Sequence, residues 1–148
     1  MKRPSHQTYA AATFATLAEL SKKGFDVSMT IGNTPRTDLF CSLPHSSPLK
    51  IEIKGISGAN GFNIKKEFFE LTEDSQRFLI VVLVPQNDAP FRFFILSHKE
   101  ARSEFSKMPE KRKDGRKYEN GNGLNWGSVS SYENAWETLN AGMSNKSE

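Results

Sequence analysis

Asp38, Glu52 and Lys54 are the residues of this chain whose types and spacing suit a chemical step. In a strand, residues two apart share a face. The segment Leu49-Lys50-Ile51-Glu52-Ile53-Lys54 alternates strictly, so Leu49, Ile51 and Ile53 point one way and Lys50, Glu52 and Lys54 the other. One face enters a core, and the opposite face presents a carboxylate beside an ammonium. Asp38 stands fourteen residues before Glu52, on a short extended piece from Thr37 to Cys41, and the Pro-containing loop 42–48 between them lets the two strands pair. Pairing brings the carboxylates together, and carboxylates at short range repel unless a proton or a cation lies between them. A hard divalent ion such as Mg²⁺, with Mn²⁺ as a substitute, takes oxygen ligands and keeps several waters. It makes water a better nucleophile, and Lys54 then orients that water or stabilises charge building on a phosphoryl group. The competing reading is a charged, solvated sheet face with no chemistry.

Around these residues the periodicity predicts an α/β (α+β) domain with one mixed five-stranded sheet flanked by helices. Ala10, Phe14, Leu17 and Leu20 recur at helical spacing from Ser5 to Lys23, with Ser5 as N-cap and Gly24 as the C′ stop. Phe25 to Ile31 alternates like a half-buried strand, and Gly32-Asn33-Thr34-Pro35 is turn chemistry. After Leu49–Lys54, Gly55, Gly58 and Gly61 read as a hinge, and 62–76 as a short strand and a helical turn. Phe78 to Val84 is continuously apolar, the mark of a strand covered on both faces, and Phe91 to Leu96 is a fifth strand. Ser97 caps a helix to about Lys107, and Ser130 or Ser131 caps a last helix carrying Ala135, Trp136 and Leu139. The domain is expected to occupy 1–140, with 141–148 as a frayed tail.

Composition narrows the setting. At 148 residues the chain has room for one domain, and 36% hydrophobic residues with eleven Phe supply a core. No apolar run reaches the roughly 18 residues of a membrane helix, so a membrane partner is not expected. No secretory signal is read at the N-terminus, and the single Cys41 points to a reducing cytoplasm. The net charge of +3 is unevenly spread: residues 107–117 hold six basic side chains against Glu110 and Asp114, leaving the remainder near neutral. Such a segment is either a solvated loop or a grip for a polyanion. Lys111, Arg112, Lys113, Arg116 and Lys117 are therefore the candidate contacts to a nucleic-acid backbone, which rewards positive charge whatever its sequence.

Thr37-Asp38 followed by Glu52-Ile53-Lys54, after a helix and a strand, resembles the PD-(D/E)XK nuclease superfamily with its restriction-endonuclease-like core. Leu17-Ala18-Glu19-Leu20 through Gly24-Phe25-Asp26-Val27 is similar to its first helix and strand, and Gly32-Asn33-Thr34 to a loop of small bacterial members. Gly123-Leu124-Asn125-Trp126 and Tyr132-Glu133-Asn134-Ala135-Trp136 are similar to the C-terminal part of such members. The resemblance implies that Asp38, Glu52 and the carbonyl of Ile53 bind the metal and that Lys54 assists catalysis. It also implies a nuclease, with DNA expected as its substrate over RNA; for so small a body, a homodimer is the form that suits cutting two strands. Two features depart from the pattern. Pro35 stands three residues before Asp38, and the helix acid found in related sequences is replaced by Ala12-Thr13. The second departure motivates an alternative, a catalytically silent nuclease fold that serves as a binding or interaction module.

The remaining reactive side chains take plainer roles. His45 is read as a solvated loop residue, His6 and His98 are given no part, and Cys41 is read as a small buried hydrophobe. Trp126 and Trp136 are assigned to the core.

Overall fold

The computed structural model describes residues 2–30, 37–58, 61–109, 111, 113–117 and 123–143. The expected turn at 32–35 and Arg112 lie outside them. The central sheet has five strands in the order β1 (Asp26–Met29), β2 (Leu39–Ser42), β3 (Leu49–Ile56), β5 (Arg77–Leu83) and β6 (Arg92–Ser97). A two-stranded pair, β4 (Gly61–Phe62) with β7 (Leu124–Asn125), stands apart from it. β1, β2 and β3 form an antiparallel meander, β3 and β5 run parallel, and β5 and β6 are antiparallel. The parallel step demands a crossover, supplied by residues 57–76 with α2 (Lys66–Glu70). The mixed five-stranded sheet is thus as expected. No described helix is long and apolar enough to cross a membrane.

Strand alternation builds two cores. One face gathers Leu49, Ile51 and Ile53 of β3 with Phe78, Ile80 and Val82 of β5, under α1 (Ser5–Lys22). The other gathers Leu79 and Val81 of β5 with Phe94 and Leu96 of β6, under Phe68, Phe69 and Ala101 of α2 and α3 (His98–Ser106). β5 is therefore buried on both faces, as its unbroken apolar run requires.

α1 ends as its sequence predicts, but lies on a different face. Gly24 has φ +89°, and the bonds Phe25 N–H to Leu20 O and Gly24 N–H to Ser21 O complete a Schellman stop. At the other end the N-cap is Pro4, so Ser5 opens the helix rather than capping it. The buried positions are Thr8, Ala12, Thr13, Thr16 and Leu20, whereas Phe14 is 63% exposed. Small residues win because α1 lies almost in contact with the β3 backbone: a Cβ on Gly55 would fall 2.6 Å from Ala12 Cβ and 2.9 Å from Thr8 O. The Thr16 hydroxyl, wholly buried, donates to Ala12 O. The same contact corrects the hinge reading of Gly55, which is a close-packed position inside β3. Gly58, at φ +101°, makes the turn after it.

Two further expectations shift, and the Ser97-capped helix is as expected. β1 is largely exposed, an edge strand rather than a half-buried one. α3 follows Ser97 in a full capping box with Glu100. The predicted last helix is instead α4 (Trp126–Val129), capped by Asn125, followed by two 3₁₀ stretches, Ser130–Tyr132 and Trp136–Gly142. The chain between them is pulled against β6: Asn134, at φ 54°, donates its N–H to Phe93 O, and Glu133 forms an ion pair with Arg92. The packed body continues past residue 140, since Gly142 is buried against the Phe78 ring and Met143 packs on the first core.

Candidate active site

The burial of β3 alternates as its sequence does: Leu49, Ile51 and Ile53 are buried, Lys50, Glu52 and Lys54 half-buried. Those three side chains lie on the sheet face carrying the second core, which takes in β5, β6 and Ile56 at the end of β3 but leaves Glu52 and Lys54 half-buried. What remains is a cleft of about 430 Å³ whose lining includes Asp38, Glu52, Ile53, Lys54, Tyr9 and Lys65. The three residues singled out by spacing therefore share one cavity.

Register explains the arrangement. Leu39 pairs with Ile51, which brings Asp38, one residue before it, alongside the stretch of β3 that carries Glu52. Asp38 still donates its N–H to Ile51 O at 2.8 Å, but the next bond comes from a side chain: Asp38 Oδ2 accepts the Ile53 N–H at 2.7 Å. The carboxylate thus replaces main chain where the ladder ends. In a strand the N–H and C=O of one residue project toward the same edge, so the Ile53 carbonyl leaves β3 on Asp38's side.

The other oxygen of Asp38, Oδ1, accepts a hydrogen bond from the Tyr9 hydroxyl of α1 at 2.6 Å. Partial burial of that hydroxyl and then the charge of Asp38, with a smaller effect of Glu52, push the Tyr9 pKa up to about 12. Tyr9 is a neutral donor that fixes the carboxylate from above. It was missed because it lies on an exposed stretch of α1 and contacts Asp38 across 29 residues of chain. The faint signal was its place one turn beyond Ser5 and His6, which also line the cleft. Lys54 is held below the ordinary lysine pKa by desolvation, against which Glu52 acts to keep it protonated.

The donor set suits a hard cation. Two carboxylates and a carbonyl of adjacent strands offer oxygen only, and Mg²⁺ is commonly held by one or two carboxylates with waters completing its shell. Among the described residues no group of three or more His, Cys, Asp or Glu comes together. The part of α1 lining the cleft contributes Ser5, His6 and Tyr9 and no acid, while Ala12 and Thr13 are buried in packing.

The other candidates fall elsewhere. Lys111, Lys113, Arg116 and Lys117 belong to a small exposed turn closed by a Lys111–Lys117 bridge, with Arg116 paired to Asp114 at 2.7 Å, and none of them lines the cleft. His45 is an exposed loop residue with φ 65°. Cys41 is 1% exposed, and burial pushes its thiol up to about 12, which makes it inert. Trp126 packs against Phe62 and Phe94, and Trp136 against Phe93. His98, assigned nothing, is a buried strut: its Nδ1 accepts the Asp74 N–H at 3.1 Å, leaving Nε2–H to donate to Phe68 O at 2.8 Å.

No protein-family model and no curated protein matches the chain significantly. Solved structures do. A bacterial homing endonuclease superposes with a TM-score of 0.54 at 15% identity, covering 95% of each chain. A Holliday junction resolvase from the archaeal hyperthermophile Archaeoglobus fulgidus gives a TM-score of 0.53 at 17% identity, covering 87% of this chain and 93% of the resolvase.

Proposed function

From a chain that carries the restriction-endonuclease-like fold of the PD-(D/E)XK nucleases, we propose a metal-dependent nuclease that hydrolyses phosphodiester bonds, in DNA rather than RNA. The observation that carries this is the convergence of Asp38, Glu52 and Lys54 in one cleft, with both oxygens of Asp38 already oriented by Tyr9 and the Ile53 N–H. That a homing endonuclease and a Holliday junction resolvase share the fold supports nucleic acid as the substrate class.

Asp38, Glu52 and the Ile53 carbonyl would hold the ion, Mg²⁺ or Mn²⁺. When bound, it supplies Lewis acidity toward a phosphoryl oxygen and makes water a stronger nucleophile. Tyr9 and the Ile53 N–H hold Asp38 in a single orientation, so little reorganisation remains when substrate arrives. Lys54 places a positive charge beside Glu52, where negative charge grows on the phosphoryl group in the transition state. Lys111, Lys113, Arg116 and Lys117 of the exposed turn, together with Arg112 of the same basic run, would grip backbone outside the cleft, and two chains acting as a homodimer would cut both strands.

The test is a cleavage assay on plasmid, single-stranded DNA, junction and RNA substrates, with Mg²⁺, Mn²⁺ or chelator. DNA cutting that requires the metal and falls at least about a thousandfold in Asp38→Asn and Glu52→Gln, on the order of 4 kcal/mol of barrier, is the expected result. Undiminished cutting by both variants would move the site elsewhere. One observation favours a second reading: no acid of α1 lines the cleft, which suits a silent fold that only binds. Calorimetry with Mn²⁺ separates the two, because a silent module shows no heat that depends on Asp38 and Glu52.

A further inference from the structure

A second cleft, of about 540 Å³, adjoins the first and shares Ser5, Lys54, Gly55 and Asn63 with it. Its character is opposite. Where the first holds Asp38 and Glu52, this one is lined by Lys2, Arg3 and Lys54 and by no acidic side chain among the described residues. Polar groups of Ser57 and Asn63 complete a concave, cationic wall.

Arg3 is a built part of that wall. Its Nη2 donates to Pro85 O at 2.6 Å, tying the start of the chain to the loop after β5. Its Nη1 is buried without a hydrogen-bond partner among the described residues. The buried Nη1 leaves the positive charge of the guanidinium little answered by protein acceptors, so it adds to the cationic field of the cleft that Arg3 lines. Because Pro85 already restrains the guanidinium, less side-chain entropy is lost on binding. The floor comes from Gly55, whose contact with Ala12 and Thr8 leaves no room for a side chain between the two clefts.

We propose that Lys2 and Arg3, with Lys54 at the boundary, form a phosphate subsite that holds the backbone of the nucleic-acid strand next to the bond presented to Asp38 and Glu52. The inference rests on the nuclease reading for its substrate class. Lys54 then serves both compartments, facing the reacting phosphoryl on one side and the neighbouring phosphate on the other. The basic residues that matter nearest the site are thus at the start of the chain, not in the 107–117 run.

Binding of a fluorescein-labelled duplex in metal-free buffer tests this without any cleavage. Each phosphate contact contributes about 0.9 to the slope of log K against log salt on B-DNA. Lys2→Ala, which leaves the Arg3 anchor on Pro85 in place, should lower the slope by about 1, and Lys2→Ala/Arg3→Ala by about 2. A circular-dichroism melt confirms that each variant is folded. Slopes equal to wild type in both folded variants overturn the subsite. The two readings fail separately: lowered slopes in a protein that cuts nothing with Mg²⁺ or Mn²⁺ keep the subsite and sink the nuclease, whereas metal-dependent cutting with unchanged slopes does the reverse.

Discussion

Lys50 and Lys54 leave the same strand on the same face, four residues apart, and meet different fates. Lys50 forms an ion pair with Asp74. Asp74 also accepts from the Gln76 N–H and gives its own N–H to His98. Although burial opposes it, the Lys50 hydrogen bond leads the groups that hold the Asp74 carboxyl below the usual aspartate range. That end of the stripe is closed, with each charge answered by a neighbour. At the other end Glu52 and Lys54 border open space beside Asp38, and Lys54 is desolvated. The strand pattern is identical at both ends. Asp74 reaches Lys50 at one, while Asn63, Ile64 and Lys65 line a cleft at the other. A polar stripe thus becomes structure where the second layer closes on it and a site where the layer leaves a gap.

Exchanging roles along the stripe gives the largest contrast. Lys54→Met should cut hydrolysis by about a hundredfold or more, the scale of losing one preorganised transition-state charge, with little change in melting temperature. Lys50→Met should do the opposite, keeping kcat within about twofold while removing the partner of Asp74. With both side chains part-exposed, the loss is about 1 kcal/mol, or about 2–4 °C in Tm. Equal effects of the two substitutions on both readouts would erase the distinction.

A smaller effect is expected from Tyr9→Phe, which removes the donor to Asp38 Oδ1. Mn²⁺ affinity measured by calorimetry should weaken about tenfold, as for other partners that orient a ligand, with the fold intact because Tyr9 is 44% exposed. Unchanged affinity would reduce Tyr9 to a surface contact.

The smallest effect belongs to the closed end. His98 is fully buried and neutral, its pKa lowered chiefly by desolvation. Below the ordinary histidine value of about 6.5 the unfolded chain takes up a proton that the folded chain refuses, so stability is lost as pH falls toward the folded value. Urea midpoints should therefore decline as pH falls below about 6.5, and the part due to His98 should vanish in His98→Gln compared at matched pH. A decline of the same size in His98→Gln would assign it to other groups.

Much of the sheet was legible because strands declare themselves through period two. Leu49–Lys54 named both its faces, and the apolar run at 78–84 named its double burial. The Asp38, Glu52 and Lys54 cleft followed from that periodicity and one register. Helical faces were less legible. α1 buries Ala12 and Thr16 rather than Phe14, because a neighbouring glycine lets the helix come close, and hydropathy does not encode that approach. The C-terminal stretch read as one helix, yet Glu133 and Asn134 bond to β6 and break it, a long-range interaction absent from local propensity.

By itself the sequence determined which side chains share a strand face and which acids a short loop could bring opposite one another, since both depend on local backbone geometry. Tertiary structure alone decided that Tyr9 reaches Asp38, that Asp74 answers Lys50 while Lys54 faces a cleft, and that Lys2 and Arg3 arrive beside Lys54. Those outcomes depend on how layers pack across tens of residues, where small differences in contact distance choose between a satisfied charge and an available one.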